Sequence, residues 1–260
     1  MYYVTEYTPF LISVVLFCLI NFSCNYDKTN SITIATAANV QFAMDTIASL
    51  FEEETGIQTN IVVGSSGKLT AQILQGAPYD IFVSADMKYP VEIYNDNMAF
   101  SLPEIYAYGS LVIWTLKDSI LLNLNYLIDE KIRHIAIANP KTAPYGIAAI
   151  QVLDKAGILE AVQKKLVFGE SISQTNQFIT SKTADIGFTA KSVVLSLKMR
   201  NIGKWSEIDP TNYTPIQQGA VIIKRNQSQI KSAEMFYSFL FSEEVQNILN
   251  TFGYITERSK

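Results

Sequence analysis

The chain has two cysteines, Cys18 and Cys24, both near its beginning. The body that follows has no thiol, which excludes an internal disulfide and a thiolate metal site there. Histidine is as scarce: His134 is the only one, beside Arg133 at a strand start, so a multi-histidine zinc site is excluded and a structural role is expected. Basic charge is not in excess either. Twenty Lys and Arg against 24 Asp and Glu leave a net charge of −4, and the basic residues are scattered, so no nucleic-acid partner is expected. Long apolar runs are missing as well: the longest, residues 9–20, is short for a spanning helix.

That run suits the apolar core of a secretory leader. Residues 1–30 are therefore expected to be a signal peptide with a polar spacer, and the mature protein periplasmic or otherwise extracytoplasmic. Cys24, after the small Ser23, stands where a lipoprotein signal places its lipidated cysteine. The segment departs from a clean pattern at Asn21 and Phe22, and residues 1–8 contain no Lys or Arg. The other reading makes Cys24 an incidental residue of a discarded leader.

What is present is an α/β pattern with an internal repeat. Residues 31–37 read as a strand, and Val40, Ala43, Met44, Ile47, Leu50 and Phe51 fall at helical spacing until Gly56. Asn39 stands where an N-cap would. Residues 57–63 form a second strand, ending in the corner Gly64-Ser65-Ser66-Gly67-Lys68-Leu69, and 79–86 a third. The order returns from residue 132: strand 132–138, a polar loop through Tyr145, a helix with Ile147, Ile150, Val152, Leu153 and Ala156, strand 166–168, a corner at 169–173, a helix, and strand 184–190. Two similar α/β lobes follow from this repeat. Residues 107–116 read as a strand leaving the first lobe and 213–223 as one returning, so crossings near 107–110 and 212–216 would form a hinge beside a cleft. The boundaries are then 31–108 plus 216–260 for lobe 1 and 109–215 for lobe 2. An amphipathic helix over 232–250, broken near Ser242, closes the chain.

The Gly-Ser corner is the focus of the reading. The first N–H groups of a helix lack intrahelical partners and carry the positive end of its dipole, so such a corner attracts anions. It is not a Walker A loop, because Val62 and Leu69 occupy required Gly and Ser/Thr positions, and not a nucleophile elbow, because Lys68 replaces the second glycine. A plain helix cap is the alternative. Asn39 is likewise either a cap or a donor at the cleft mouth, and Tyr145 either a packing aromatic or part of the second-lobe loop at the cleft. Asp80 and Asp185 open equivalent strands, which favours a structural role for both over paired catalysis.

Ala37-Ala38-Asn39, the Gly64 to Leu69 corner, Gly76-Ala77-Pro78-Tyr79-Asp80-Ile81-Phe82-Val83-Ser84-Ala85-Asp86 and Ala143-Pro144-Tyr145-Gly146 resemble the periplasmic molybdate-binding proteins of ABC importers. Asp185-Ile186-Gly187-Phe188-Thr189-Ala190 and Gln218-Gly219-Ala220-Val221 add to the resemblance, which covers residues 31–255. It implies a two-lobed periplasmic binding protein of type II, each lobe a mixed, mostly parallel sheet flanked by helices, with the ligand cleft at the hinge. Position by position, it places the oxyanion ligands at Asn39, Ser66, Tyr145 and Ile172, the last two through backbone N–H groups, with the Ala38 amide as a neighbour. Some members use a tyrosine hydroxyl where this chain has Ala190, and the Tyr145 hydroxyl is the candidate substitute.

The resemblance implies a monomeric, non-enzymatic protein that captures molybdate, and tungstate as a close analogue, and delivers it to a permease with its ATPase. No cofactor is expected and no protein–metal bond, since the ligand's own oxygens meet the protein; the membrane is reached only through a lipid at Cys24. Three other readings stay open: a receptor for sulfate, phosphate or another small anion, a secreted hydrolase using Ser65 or Ser66, and a sensor domain without transport.

Overall fold

The computed structural model describes residues 31–225 and 227–256. The expected leader over 1–30, with Cys18 and Cys24, lies outside the described residues. Within them, no helix is long and apolar enough to cross a membrane.

The chain runs β1 (Ser31–Ala37), α1 (Gln41–Thr55), β2 (Gln58–Gly64), α2 (Ser66–Leu74), β3 (Ile81–Val83), α3 (Lys88–Asn95) and β4 (Glu104–Gly109). After Ser110 come β5 (Leu111–Thr115), β6 (Ile135–Ala138), α4 (Pro144–Lys155), α5 (Leu159–Val162), β7 (Leu166–Gly169), α6 (Ile172–Thr180), β8 (Ile186–Ala190), α7 (Lys191–Leu195) and β9 (Lys204–Glu207). The return strand β10 (Ile216–Ile222) and helices α8 (Gln227–Leu240) and α9 (Glu243–Thr251) complete it.

Two five-stranded sheets result, in the orders β2-β1-β3-β10-β4 and β7-β6-β8-β5-β9. They are built alike. The first three strands of each are parallel, and the fourth runs antiparallel to both its neighbours. In each sheet that fourth strand is the one arriving from the other lobe: β5 directly after β4, and β10 after the second sheet is finished. The parallel strands point their carboxyl ends, and the helix starts that follow, at one cleft.

Several elements differ from the sequence reading. Residues 107–116 are two strands, because β4 bonds β10 while β5 bonds β8 and β9, and one segment cannot serve both sheets. Only Ile81–Val83 of the third expected strand is paired as a strand, though Asp80 and Ser84 on either side still donate to Thr33 in β1 and Gly219 in β10. The return strand starts after Pro215, which has no N–H to donate. The closing segment starts earlier than expected, at Gln227, but breaks at Ser242 as read, where Ser242 accepts from the Val245 N–H and begins α9. Helices α3 and α7 and strand β9 were not read from the sequence.

Packing follows the helical stripes. Helix α1 buries Ala43, Met44, Ile47, Ala48 and Phe51, and the Phe51 ring meets Phe236 edge-on at 5.1 Å. Gly56, at φ 71°, donates its N–H to the Glu52 carbonyl and ends the helix. Helix α4 corrects the expected apolar set: Ile147 is exposed, and the buried stripe is Tyr145, Ala148, Ala149, Val152 and Leu153. This stripe follows the i, i+3, i+4, i+7, i+8 spacing.

Candidate anion-binding site

A small cavity, with about 10 Å³ open to the centre of a water-sized sphere, lies between the lobes. Ala38, Asn39, Ser65 and Ser66 line it from the first lobe, and Tyr145 and Ile172 from the second. It is smaller than the roughly 300–1,000 Å³ of sites for organic ligands, and suits a small ion. All five residues named from the sequence are at its wall.

The turn after β1 sets the first of them. Ala38 donates its N–H to the Gly64 carbonyl at 2.9 Å and Val40 donates to Ala37 at 3.0 Å, while the Asn39 N–H takes no acceptor among the described residues. Ala38 is therefore wall, not an available donor. Asn39 is not the helix cap either: Val40 holds that position, without a side-chain bond. The Asn39 amide faces inward instead. Its Nδ2 donates to Gln218 Oε1 at 2.7 Å and to the Tyr254 hydroxyl at 2.9 Å. The orientation is fixed by Gln218, whose Nε2 donates to the carbonyls of Ala85 and Ile216. Both amide hydrogens are thus committed, and the expected side-chain donation into the cleft is replaced by the backbone N–H.

Three helix starts supply the rest. Ser66 opens α2 with an N–H that lacks an acceptor, and its Oγ accepts from the Ala85 N–H at 3.0 Å, leaving the hydroxyl proton to be given. Tyr145 follows Pro144 at the start of α4, and its N–H is unmatched in the turn. Ile172 is the first residue of α6, also with an unmatched N–H, while Ser171 before it caps the helix by accepting from Gln174. Positive dipole ends from both lobes converge on one small volume.

The Tyr145 hydroxyl does not stand free in the cleft. A Cβ on Gly109, at the crossing, would lie 2.1 Å from it, so the hydroxyl is packed against the end of β4. Burial, and then the neighbouring tyrosines, push the Tyr145 hydroxyl well up, and burial does the same at Tyr106 and Tyr254. The wall therefore stays neutral at ordinary pH. No Lys or Arg lines the cavity.

The lobes are held closed around it. Gly67 donates its N–H to the Thr142 carbonyl at 2.9 Å, and Ser192 Oγ donates to the Asn39 carbonyl at 2.6 Å. Ser173 Oγ reaches Gln41 at 3.0 Å, and Lys68 pairs with Glu170 from the opposite lobe.

The remaining candidates lie elsewhere. Asp80 accepts from the Thr33 N–H at 2.7 Å and from Arg225 at 3.0 Å, and Asp185 from the N–H groups of Arg133 and His134. Both tie strand starts together. His134 is exposed, at the end of β6 opposite the cleft, so it is no base for Ser65 or Ser66. Among the described residues no group of three His, Cys, Asp or Glu could hold a metal. The sequence reading gave no site role to Gln218, Ser192 and Tyr254; of the two glutamines in β10, Gln217 is exposed and Gln218 buried, which the sequence alone does not distinguish.

The chain has known relatives. A profile of the bacterial extracellular solute-binding proteins matches residues 32–255. The molybdate-binding protein of Rhodobacter capsulatus is 36% identical over 86% of this chain and 87% of its own. A putative ABC transporter substrate-binding lipoprotein of Bacillus subtilis is 27% identical over 97% of this chain and 99% of its own. The solved periplasmic molybdate-binding protein of Azotobacter vinelandii superposes with a TM-score of 0.81 at 35% identity, covering 86% of this chain and 98% of that one. The chain belongs to the bacterial extracellular solute-binding protein family, with molybdate-binding proteins among its relatives.

Proposed function

We propose that this protein captures molybdate, and tungstate as a close analogue, outside the cytoplasm and delivers it to an ABC transporter. The observation that carries this reading is the set of unmatched N–H groups at Asn39, Ser66, Tyr145 and Ile172, joined by the Ser66 hydroxyl, around an ion-sized cavity with no charged side chain in its wall. The relatives' names support the choice of ion.

The ligand is a dianion neutralised by dipoles. Donors fixed by helix starts and by the Asn39–Gln218 pair cannot follow a smaller ion, so sulfate meets fewer of them at full strength. Release follows parting of the lobes, and the closed faces of both lobes dock on a permease served by its ATPase. Lobe 1 comprises residues 31–108 with 216–260, and lobe 2 residues 109–215. The protein acts as a monomer without catalysis. The Bacillus lipoprotein match across nearly the whole chain supports lipid attachment at Cys24.

Isothermal titration of the mature protein with molybdate, tungstate and sulfate tests the reading. Tight binding of the first two and weak binding of sulfate are expected. Sulfate binding as tightly as molybdate would overturn the size selection.

A further inference from the structure

Three buried side-chain hydroxyls among the described residues have no hydrogen-bond partner: those of Thr36, Ser65 and Tyr106. Of these, only Ser65 lines the anion cavity. It is 3% exposed, and it holds the N-cap position of α2 with φ −75° and ψ 148°. A serine there ordinarily accepts from the second or third N–H of its helix. Ser65 makes no such bond.

The opposite lobe shows the contrast. Ser171 is the N-cap at the equivalent corner, half-buried, and its hydroxyl accepts from the Gln174 N–H. At Ser65 the Gly67 N–H, second in α2, goes to the Thr142 carbonyl across the cleft, and the Lys68 N–H, the counterpart of Gln174, makes no bond to the Ser65 hydroxyl. Neither of the two N–H groups that a cap ordinarily bonds engages the Ser65 hydroxyl. Its neighbour Ser66 has its oxygen engaged by the Ala85 N–H, whereas Ser65 has neither its proton nor its lone pairs engaged. A buried hydroxyl in that condition is unfavourable until something accepts its proton.

We infer that Ser65 is a second hydroxyl ligand of the bound oxyanion, donating beside Ser66. The inference rests on the oxyanion reading and deepens it. The first lobe then offers two hydroxyls and two N–H groups, and the second lobe N–H groups alone. Ser65 is a selectivity residue, because its proton finds an acceptor only when an anion oxygen reaches the first-lobe side of the cavity.

The test is titration of wild-type, Ser65→Ala and Ser65→Gly proteins with sodium molybdate, beside thermal unfolding of each without ligand. Glycine is a good N-cap residue, so Ser65→Gly removes the hydroxyl while keeping the helix start. Both variants are expected to bind molybdate about tenfold more weakly or worse, the size of a hydrogen bond to a charged group. Their unliganded melting temperatures should equal or exceed that of the wild type, since an unpartnered buried hydroxyl has been removed. Affinities within twofold of wild type in both variants overturn the inference. So does a lowered melting temperature in Ser65→Ala with affinity unchanged, the signature of a cap. Wild-type protein that binds neither molybdate nor tungstate overturns the oxyanion reading, and this inference with it.

Discussion

Gln218 Oε1 accepts from Asn39 Nδ2 at 2.7 Å, across 179 residues of sequence. The bond joins the returning strand β10 to the turn that presents the Asn39 N–H. Its consequence is that a donor at the cleft is aimed by a side chain that does not line it. Gln218→Leu keeps the bulk and removes the acceptor, leaving one Asn39 amide hydrogen buried without a partner. A loss of about 1–3 kcal/mol in folding stability is expected, read by urea unfolding. Weaker oxyanion binding by titration should accompany it, since the 38–40 turn loses its anchor.

Ser66→Ala removes the hydroxyl that faces both the cavity and the Ala85 N–H. A hydrogen bond to a charged group contributes about 1.5–3 kcal/mol, so molybdate affinity should fall roughly 10- to 150-fold. Titration calorimetry reads this directly. Unchanged affinity would remove Ser66 from the ligand set.

The pair Lys68–Glu170 spans the cleft between half-exposed side chains. As an exposed ion pair it contributes at most about 1 kcal/mol to closure, and less in high salt. Lys68→Glu places two like charges there and should shift the unliganded protein towards an open form, seen as a larger radius of gyration by small-angle scattering. The double change Lys68→Glu with Glu170→Lys should restore the wild-type value. If the single variant scatters like the wild type at low salt, the pair has no part in closure.

Asp80 and Asp185 occupy equivalent strand starts yet should respond to pH in opposite senses. Burial pushes Asp185 up, but the Lys117 hydrogen bond and the His134 and Arg133 N–H groups outweigh it, and its carboxyl is held low. Such a group stabilises the fold above the unfolded value, about pH 4, and that contribution is lost as pH falls through the folded value. At Asp80 burial prevails over the Thr33 N–H and Arg225, and the carboxyl is raised. Its ionisation opposes folding at neutral pH, and the opposition lifts as pH falls through the raised value. Asp185→Asn should therefore cost more stability at pH 7 than at pH 3, and Asp80→Asn less. Denaturant unfolding of both variants at the two pH values gives the comparison.

Much of this was legible in the sequence because it is local. Helix stripes, the stop at Gly56, and the break at Ser242 follow from residue spacing and turn chemistry. The repeat disclosed two alike lobes, and the Gly-Ser corner with its counterpart before Ile172 disclosed two of the three converging helix starts. What stayed hidden is non-local. Asn39 looks like a cap from its neighbours alone, and only Gln218 and Tyr254, 179 and 215 residues away, turn its amide inward. The split at Ser110 had only Gly109-Ser110 as its local sign; that the two halves of 107–116 are claimed by different sheets is non-local. Helix α4 misled for a third reason: Ile147 fits a three-residue spacing, but small Ala148 and Ala149 are what the close packing admits.

On the proposed function, neutral donors from both lobes select one size of tetrahedral dianion. Titration calorimetry of the wild-type mature protein with sodium molybdate, followed by competition with sodium sulfate, decides this selection. One site per chain, with molybdate preferred over sulfate by at least about a hundredfold, is the predicted result, corresponding to about 2.7 kcal/mol. Equal affinity for the two anions, or binding of neither, would contradict it.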